Sequence, residues 1–209
     1  MGEGPTAGIL VAAGRSSRMG RLKQLVPVGG KPMVLRVLEQ ALVAPLAKVV
    51  LVLGHEAQRV QEALGDIIGH PRLEVLVNRG YAEGMASSIR SGLERIQGEF
   101  PSFMLLFADQ PLLDASTMEL LLRAFWSSGK QICVPLARGN RSHPVIFGSP
   151  FYPSLMALRG DVGAREILDA HPEEVLGVKV PCPDLLMDVD SPEDLHELEG
   201  KQPHCFWER

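Results

Sequence analysis

The amino-acid sequence predicts a doubly wound α/β fold with a mostly parallel sheet. Short runs rich in Val, Ile and Leu alternate along the chain with segments whose apolar residues recur every three or four positions, the spacing of an amphipathic helix. The first, second and fourth of these runs are continuously apolar, as strands buried on both faces of a parallel sheet are. Such an alternation builds a layered sheet that binds its ligand at the carboxyl ends of the strands.

The individual elements follow from these two patterns in chain order. Seven apolar runs are predicted as strands: AGILVA (7–12), KVVLVL (48–53), LEVLV (73–77), FMLLFA (103–108), QICVPL (131–136), PVIF (144–147) and VLGVKV (175–180). Six periodic segments are predicted as helices: PMVLRVLEQALV (32–43), EAQRVQEALGDI (56–67), MASSIRSGLERIQ (85–97), ASTMELLLRAFWSS (115–128), GAREILDA (163–170) and PEDLHELE (192–199). No repeat or linker interrupts them, so we expect a single domain over residues 1–209 with peripheral tails at 1–6 and 200–209. The second tail carries Phe206 and Trp207, whose role the sequence leaves open.

The overall charge gives no support for a nucleic acid or a membrane as a partner. Lys and Arg number 21 against 25 Asp and Glu, for a net charge of −4, so an anionic ligand needs a local cluster of cations. The three cysteines are odd in number and outside any C-x-x-C pattern, which argues against a disulfide framework and a zinc site. With no recognisable signal peptide, these features predict a cytoplasmic protein.

The loop after the first strand has the composition of an anion-binding site. It leaves the strand at its carboxyl end, and Gly14 and Gly20 allow backbone amides to approach an anion closely. Four cations lie in the same loop: Arg15, Arg18, Arg21 and Lys23. The spacing is neither that of a P-loop nor that of a G-x-G-x-x-G loop. A solvated basic turn is the alternative interpretation.

Acidic residues follow the fourth predicted strand and recur near the carboxyl end of the chain. Asp109 directly follows the strand, and Pro111 stops it, so the Asp109 carboxylate is expected in the same crevice. Asp188 and Asp190 alternate along a predicted short strand and face opposite sides, which lets one of the two reach the crevice. Two carboxylates together with phosphate oxygens suit Mg²⁺.

Together these motifs resemble a known family. The segment LVAAGRSSRMGRLK (10–23) is similar to the nucleotidyltransferase signature L-x-(A/G)-G-x-S-x-R-M-G-x-x-K, and the resemblance continues in order through VGGKPM, NRGYAEGMASSIRSGL, FADQPLL, RSHPVIFG, LRGDVGAREIL and DVDSPEDL. The whole set resembles the molybdenum cofactor cytidylyltransferases, which join CMP to the phosphate of molybdopterin. The resemblance implies a Rossmann-like three-layer sandwich of the nucleotide-diphospho-sugar transferase type, with Mg²⁺ as cofactor. It also implies CTP and molybdopterin (molybdenum cofactor) as substrates, pyrophosphate release, and a molybdenum hydroxylase that receives the product.

The resemblance also implies roles for individual residues. Lys23 is expected at the α-phosphate and Arg18 at the departing phosphates, while Asp109 is catalytic and shares the metal with Asp190. The implied nucleotide-binding residues are Leu10, Ala12, Ala13, Gly14, Arg15, Ser16, Ser17, Gly20, Lys23, Asn78, Gly84, Ser87 and Ser88. Three of these (Gly84, Ser87 and Ser88) open a predicted helix, whose N-terminus is a natural hydrogen-bonding surface. The implied acceptor-binding residues are Arg141, His143 and Arg165.

Several of these assignments have alternatives. Arg165 could instead pair with Asp161 or Asp169 at helical spacing, and a histidine before a proline, like His143, is often structural. A guanylyltransferase that uses GTP is the first alternative function. The guanine-using relatives carry glycine at the place of Ala13, and the additional methyl group favours the smaller pyrimidine. A sugar-phosphate or methylerythritol-phosphate nucleotidyltransferase is the second alternative. The sequence disfavours it, because it lacks a Gly-x-Gly-x-Arg-Leu loop and has FADQPLL in place of the acidic-basic segment of the methylerythritol enzymes. The third alternative is a molybdenum cofactor carrier or insertion protein with little or no catalysis, which the joint presence of Lys23, Asp109 and Asp190 disfavours.

Overall fold

The computed structural model describes residues 4–16 and 19–200. Its strands, in chain order, are β1 (Thr6–Ala12), β2 (Pro27–Val28), β3 (Lys31–Pro32), β4 (Lys48–Leu53), β5 (Leu73–Val77), β6 (Ser102–Phe107), β7 (Ile132–Ala137), β8 (Asn140–Arg141), β9 (Val145–Gly148) and β10 (Val175–Lys179). Its α-helices are α1 (Met33–Val43), α2 (Ala57–Leu64), α3 (Met85–Leu93), α4 (Ala115–Ser128), α5 (Tyr152–Ala157), α6 (Arg165–Ala170) and α7 (Pro192–Gly200).

The main sheet is mixed, with parallel pairs at its centre. Its strand order is β10-β7-β9-β6-β1-β4-β5, and β8 pairs with β7 outside this path. β1 pairs in parallel with both β4 and β6, and the pairs β4–β5 and β7–β10 are also parallel. Only β8 and β9 run antiparallel to their described neighbours in this sheet. This topology confirms the predicted α/β fold with a mostly parallel sheet.

Helices cover both faces of the sheet and make the predicted three layers. One hydrophobic cluster joins α1, α2 and α4 to one face, and a second joins α3, α5 and α6 to the other. Successive residues of β1 serve the two faces in turn, because Ile9 belongs to the second cluster and Leu10 to the first. Both side chains are fully buried, and β1 lies between β6 and β4, so it is a central strand.

The predicted elements are present, and most of the differences lie at their ends. All seven predicted strands and all six predicted helices occur. The helix predicted over 56–67 stops at Leu64 because Gly65, at φ +58°, begins a 3₁₀ turn, and the one predicted over 85–97 stops at Leu93. The β2–β3 hairpin, β8 and α5 were not predicted, and neither were the short 3₁₀ helices. The short strand expected around Asp188 and Asp190 is not formed, since residues 187–190 have an irregular backbone.

A third, smaller hydrophobic cluster fastens the first loop to the C-terminal part of the chain. Met19 is 5% exposed and lies in this cluster together with Met33 and Val189. The following helix, α7, starts with a reciprocal cap: the Asp194 N–H donates to Ser191 Oγ over 3.2 Å, and the Ser191 N–H donates to Asp194 Oδ2 over 2.8 Å. The region that carries Asp190 is therefore held beside the first loop by packing rather than by strand pairing.

The two predicted tails are only partly within the described residues. Thr6 was assigned to the first tail, but it begins β1 and its hydroxyl lies 2.8 Å from that of the buried Ser102, so this boundary is wrong by one residue. Phe206 and Trp207 lie outside the described residues. The division into a single domain over residues 1–209 stays a prediction.

Two cysteines lie within the described residues. Cys133 is buried and free, whereas Cys182 is disulfide-bonded. In the part of the chain that the structure describes, no helix is both long and apolar enough to cross a membrane.

Candidate active site

A cavity of about 570 Å³ lies at the carboxyl ends of β1 and β6. The first loop forms one wall, through Gly14, Arg15 and Ser16, and the loop that precedes α3 forms another. This is the place where an open α/β sheet binds its ligands. The position predicted for the site from the strand pattern therefore coincides with this cavity.

A buried glutamine that the sequence reasoning did not single out shapes the first loop. Gln24 is 2% exposed, and its Nε2 donates to the carbonyl oxygens of Ala12 (3.2 Å) and Gly14 (2.9 Å). Its Oε1 accepts from Ser16 Oγ over 3.1 Å, and Ser16 Oγ accepts in turn from the Lys23 N–H over 3.1 Å. Because Ser16 has a positive φ of 57°, the loop needs these bonds to hold its conformation.

The other nucleotide-binding residues predicted in β1 and the first loop differ in whether they line the cavity. Ala12 and Ala13 line the cavity together with Gly14. Leu10 does not, because its side chain is buried between β1 and the helices of the first cluster, so a side-chain contact to a nucleotide is excluded. Gly20, at φ +63°, allows a turn and is not part of the cavity wall. Ser17 and Arg18 lie outside the described residues.

Lys23 lies between the two carboxylates predicted to hold a metal. Its Nζ donates to Asp109 Oδ2 over 2.9 Å and to Asp190 Oδ1 over 2.6 Å. Burial lowers the pKa of Lys23, but the charges and hydrogen bonds of the two carboxylates outweigh this effect and raise the pKa above its ordinary value. Lys23 therefore stays charged at neutral pH.

The backbone brings these two carboxylates together from distant parts of the chain. The Val189 N–H donates to the carbonyl oxygen of Asp109 over 2.8 Å, which places Asp190 at the cavity. Asp188 does not line it, so the structure selects Asp190 of the two candidates. The pKa of Asp188 is raised to about 6, first because nearby protein groups displace water from its carboxyl group, and then by the negative charge of Asp109.

The start of α3 is covered by another loop of the chain. The Met85 N–H donates to Asp161 Oδ1 over 3.3 Å, and the Ala86 N–H donates to the carbonyl oxygen of Gly160 over 3.1 Å. Gly84 has φ +107°, and a Cβ at this position would come within 2.3 Å of the Gly160 carbonyl carbon. The absence of a side chain at Gly84 therefore serves the contact between the two loops. The expectation that this helix start offers free donors to a ligand is wrong for these two amides.

Asn78 and Ser87 are also engaged inside the protein. Asn78 Nδ2 donates to the hydroxyls of Ser87 (2.9 Å) and Ser88 (3.1 Å), and its Oδ1 accepts from the Gly80 N–H over 2.9 Å. Asn78 is 8% exposed and Ser87 is 5% exposed, and neither lines the cavity, whereas Ser88 does. The predicted nucleotide contacts of Asn78 and Ser87 are thus replaced by bonds that fix the loop over residues 78–84.

The three predicted acceptor-binding residues do not line the cavity. Arg141 Nη1 bonds Asp169 Oδ1 over 2.8 Å, and Arg165, whose side chain is 92% exposed, lies 3.9 Å from Asp169 Oδ2. The helical pairing with Asp169 is therefore the alternative that Arg165 adopts. The ring of His143 packs edge-on against Phe107, a cavity residue, at 4.5 Å between centroids. Burial lowers the pKa of His143, and Asp109 offsets part of this shift.

The contact of an aromatic ring of the cavity lining with the first loop was not predicted. Tyr81 lines the cavity, and the Arg15 guanidinium carbon lies 5.6 Å from the centre of its ring. His55 Nδ1 lies 3.3 Å from the Tyr81 hydroxyl. A Cβ at Gly54 would come within 2.7 Å of both Ala13 O and Tyr81 Cβ, so only glycine lets these three loops approach so closely. Tyr81 stands inside a motif of the sequence, but nothing in its spacing indicates that its ring faces Arg15.

The donor set suits a hard divalent cation. Both carboxylates direct an oxygen at one point, since Asp109 and Asp190 each contact the same Lys23 nitrogen. Mg²⁺ and Mn²⁺ accept a few carboxylates and complete their coordination with phosphate oxygens and water. Within residues 4–16 and 19–200 there is no cluster of three or more His, Cys, Asp or Glu that could hold a metal, so a nucleotide would have to supply further ligands.

The fold and the cavity together define an α/β domain with a glycine-containing cationic loop facing a carboxylate pair, an arrangement suited to polyphosphate chemistry. Residues 8–175 match the model of the MobA-like NTP transferase domain, and the chain belongs to this family. The match names the nucleotidyltransferase family and does not single out the molybdenum cofactor cytidylyltransferases.

Individual relatives agree with this assignment. The chain is 33% identical over 128 residues to the bifunctional protein GlmU of Bacillus cytotoxicus, a match that covers 60% of this chain and 27% of that protein. The chain thus spans about a quarter to a third of the length of the curated relatives it matches. Among solved structures, Rv0371c from Mycobacterium tuberculosis H37Rv is 25% identical with a TM-score of 0.80, covering 94% of this chain and 99% of that one. A nucleotidyl transferase from Methanothermobacter, 20% identical over 94% of this chain and 96% of its own, has a TM-score of 0.78 and shares the fold. These structural neighbours confirm the predicted nucleotide-diphospho-sugar transferase type of fold.

Proposed function

We propose that this chain is a metal-dependent nucleotidyltransferase that transfers CMP from CTP to the phosphate of molybdopterin. One observation carries the reaction class: Asp109 and Asp190 converge on Lys23 within 2.9 Å, beside the loop at Gly14–Ser16. Transfer of a nucleotidyl group needs in-line positioning and neutralisation of negative charge, with little covalent work by the protein. Paired carboxylates, a lysine and a backbone loop at one cavity provide these functions.

Each group has a defined task in this reaction. The loop at Gly14–Ser16 and Arg15 would hold the β- and γ-phosphates, and Lys23 would neutralise charge that develops on the α-phosphate. A divalent cation bound by Asp109 and Asp190 would supply additional positive charge at the phosphates. An oxygen of the acceptor phosphate attacks the α-phosphorus as the bond to the β-phosphate breaks, and the electron pair leaves with pyrophosphate. Because the acceptor phosphate is already an anion, no general base is needed.

The charge of the cavity supports the requirement for a cation. Its described lining contains four carboxylates, Glu83, Asp109, Asp161 and Asp190, but only two cations, Arg15 and Lys23. A triphosphate entering this lining would meet an excess of negative charge. A divalent cation relieves this repulsion. We propose Mg²⁺ for the role, and Mn²⁺ is a natural substitute, since one solved structure of Rv0371c is a complex with manganese.

The choice of substrates depends on sequence motifs. The ordered set from the first loop to DVDSPEDL supports molybdopterin as the acceptor. Ala13 lines the cavity and supports a pyrimidine base, because the guanine-using relatives carry glycine at this place and an additional methyl group favours the smaller ring. We further propose a cytoplasmic location and a molybdenum hydroxylase as the receiver of the product. GTP as the donor, and a carrier role with little catalysis, are the competing functions.

Pyrophosphate release separates these functions in one experiment. The purified chain is incubated with each of the four ribonucleoside triphosphates, with and without molybdopterin, in Mg²⁺ and in Mn²⁺. Release that requires both CTP and molybdopterin is the expected result. A preference for GTP would identify a guanylyltransferase, and molybdopterin binding without release would identify a carrier. A sugar 1-phosphate is included as a further acceptor, and release with this acceptor alone would contradict the molybdopterin assignment.

A further inference from the structure

The contact between Lys23 and the carboxylate pair has a consequence for cation binding. Lys23 Nζ lies 2.9 Å from Asp109 Oδ2 and 2.6 Å from Asp190 Oδ1, so a single ammonium group occupies the point on which both carboxylates converge. The three side chains are only 16%, 22% and 32% exposed. Their mutual attraction is therefore screened less by water than that of a surface ion pair.

A divalent cation would need the same oxygen atoms. It would replace some of the hydrogen bonds that Lys23 makes, and it would place a second positive charge beside the ammonium group. We infer that Lys23 is the resident counter-ion of Asp109 and Asp190 and competes with free divalent cations for them. The cation then binds tightly only together with the nucleotide, whose phosphates give the ammonium group of Lys23 another partner. This inference rests on the proposed function for the identity of the nucleotide.

The exchange requires only the side chain of Lys23 to move, because hydrogen bonds hold its backbone in place. The Lys23 N–H is bonded to Ser16 Oγ, and the neighbouring Gln24 is tied to the carbonyl oxygens of Ala12 and Gly14. The flexible stem of a lysine lets its ammonium group move between partners while the backbone stays in place. Gly14, Ser16 and Lys23 line one continuous cavity, so phosphates at the loop would lie within reach of the side chain.

Binding of Mn²⁺ without nucleotide tests the competition directly. The free Mn²⁺ signal in electron paramagnetic resonance gives the dissociation constant for the wild type, Lys23→Met and Lys23→Gln, two variants that remove the charge and keep much of the stem. We expect both variants to bind Mn²⁺ at least about tenfold more tightly than the wild type. Lys31→Met, which removes a lysine paired with Glu39 elsewhere, should leave the affinity unchanged. The double variant Lys23→Met/Asp109→Asn should lose the gain, which assigns the gain to this site.

The outcomes are distinct. Equal or weaker Mn²⁺ binding by folded Lys23→Met and Lys23→Gln would overturn the inference, and thermal denaturation reports whether they are folded. In saturating CTP the advantage of the variants should shrink or reverse, and an advantage that persists unchanged would contradict the release of Lys23 by phosphates. The nucleotide-free measurement involves no turnover. A chain that releases no pyrophosphate would refute the proposed function, while the competition between Lys23 and Mn²⁺ would still be judged on its own result.

Discussion

The two sides of the cavity differ in how their polar groups are used. On the first-loop side, Lys23, Asp109 and Asp190 come from distant parts of the chain and meet at one point of the cavity. On the α3 side, Asn78 and Ser87 carry neutral polar side chains that are buried behind the cavity lining and hydrogen-bonded to other protein groups.

The difference reflects the cost of burying each kind of group. Paired charges that remain partly exposed can exchange one partner for another, whereas a buried amide or hydroxyl must keep its hydrogen bonds or lose stability. We therefore expect substitutions of Lys23, Asp109 and Asp190 to change catalysis, and substitutions of the buried Asn78 and Ser87 to change stability. The following variants test that division, from the largest expected effect to the smallest.

Asp109→Asn should have the largest effect on activity. It removes one of two carboxylates at the proposed cation site, and we expect pyrophosphate release to fall by about 10²-fold or more. The side chain is at the cavity rather than in the core, so the melting temperature should change little. Asp161→Asn, which replaces an exposed carboxylate of the same cavity lining, is the matched control. Normal turnover by Asp109→Asn in Mg²⁺ would contradict the site.

Asn78→Leu should reduce stability. It leaves the hydroxyls of Ser87 and Ser88 and the Gly80 N–H without the Asn78 amide, and each buried polar group that loses its partner costs about 1–3 kcal/mol. Urea denaturation measures the change in the free energy of unfolding, with Asn140→Leu on the exposed strand β8 as control. A loss of nucleotide affinity with unchanged stability would indicate that Asn78 contacts the nucleotide, as the sequence predicted.

His143 should make the stability depend on pH. Its pKa is lowered in the folded protein by burial, so below the ordinary value of about 6.5 the unfolded chain binds more protons than the folded one. Stability is therefore fully present above that pH and is lost as the pH falls below it. In His143→Phe this loss should be smaller between pH 7 and 5, as followed by urea denaturation at each pH, and an unchanged loss would contradict the role of His143.

Tyr81→Leu should weaken nucleotide binding by a modest factor. The Tyr81 ring lies 5.6 Å from the Arg15 guanidinium carbon, and an exposed cation–π contact contributes about 0.5–1 kcal/mol, or about two- to fivefold in affinity. The KM for CTP should rise by this factor with little change in kcat. Tyr81→Phe keeps the ring and should stay near the wild type. If Tyr81→Leu has the same effect when Arg15 is already replaced by Ala, the ring does not act through Arg15.

Arg165→Ala should have almost no effect. Its side chain is 92% exposed and 3.9 Å from Asp169, and such surface pairs contribute between 0 and about 1 kcal/mol. Stability and the KM for molybdopterin should both stay close to those of the wild type. A large rise in that KM would mean that Arg165 moves to the acceptor during turnover, and the division between the two sides of the cavity would then fail.

The sequence by itself determined the layers of the fold and the position of the first loop. Apolar periodicity is a local property, so β1, β4 and α4 could be located from the residues they contain. The crevice followed from the rule that parallel strands present their carboxyl ends at one edge. Asp109 could be placed there because it directly follows a buried strand.

Only the tertiary structure decided which polar groups face the cavity. Asp190 was separated from Asp188 by the bond between the Val189 N–H and Asp109 O, which joins residues 80 positions apart. The hydrogen-bond partners of Asn78 likewise depend on contacts between loops that no local sequence pattern predicts. The same holds for the contact of Asp161 with the first turn of α3. A residue type indicates which hydrogen bonds a side chain can make, but the partner it finds depends on the packing of the whole chain.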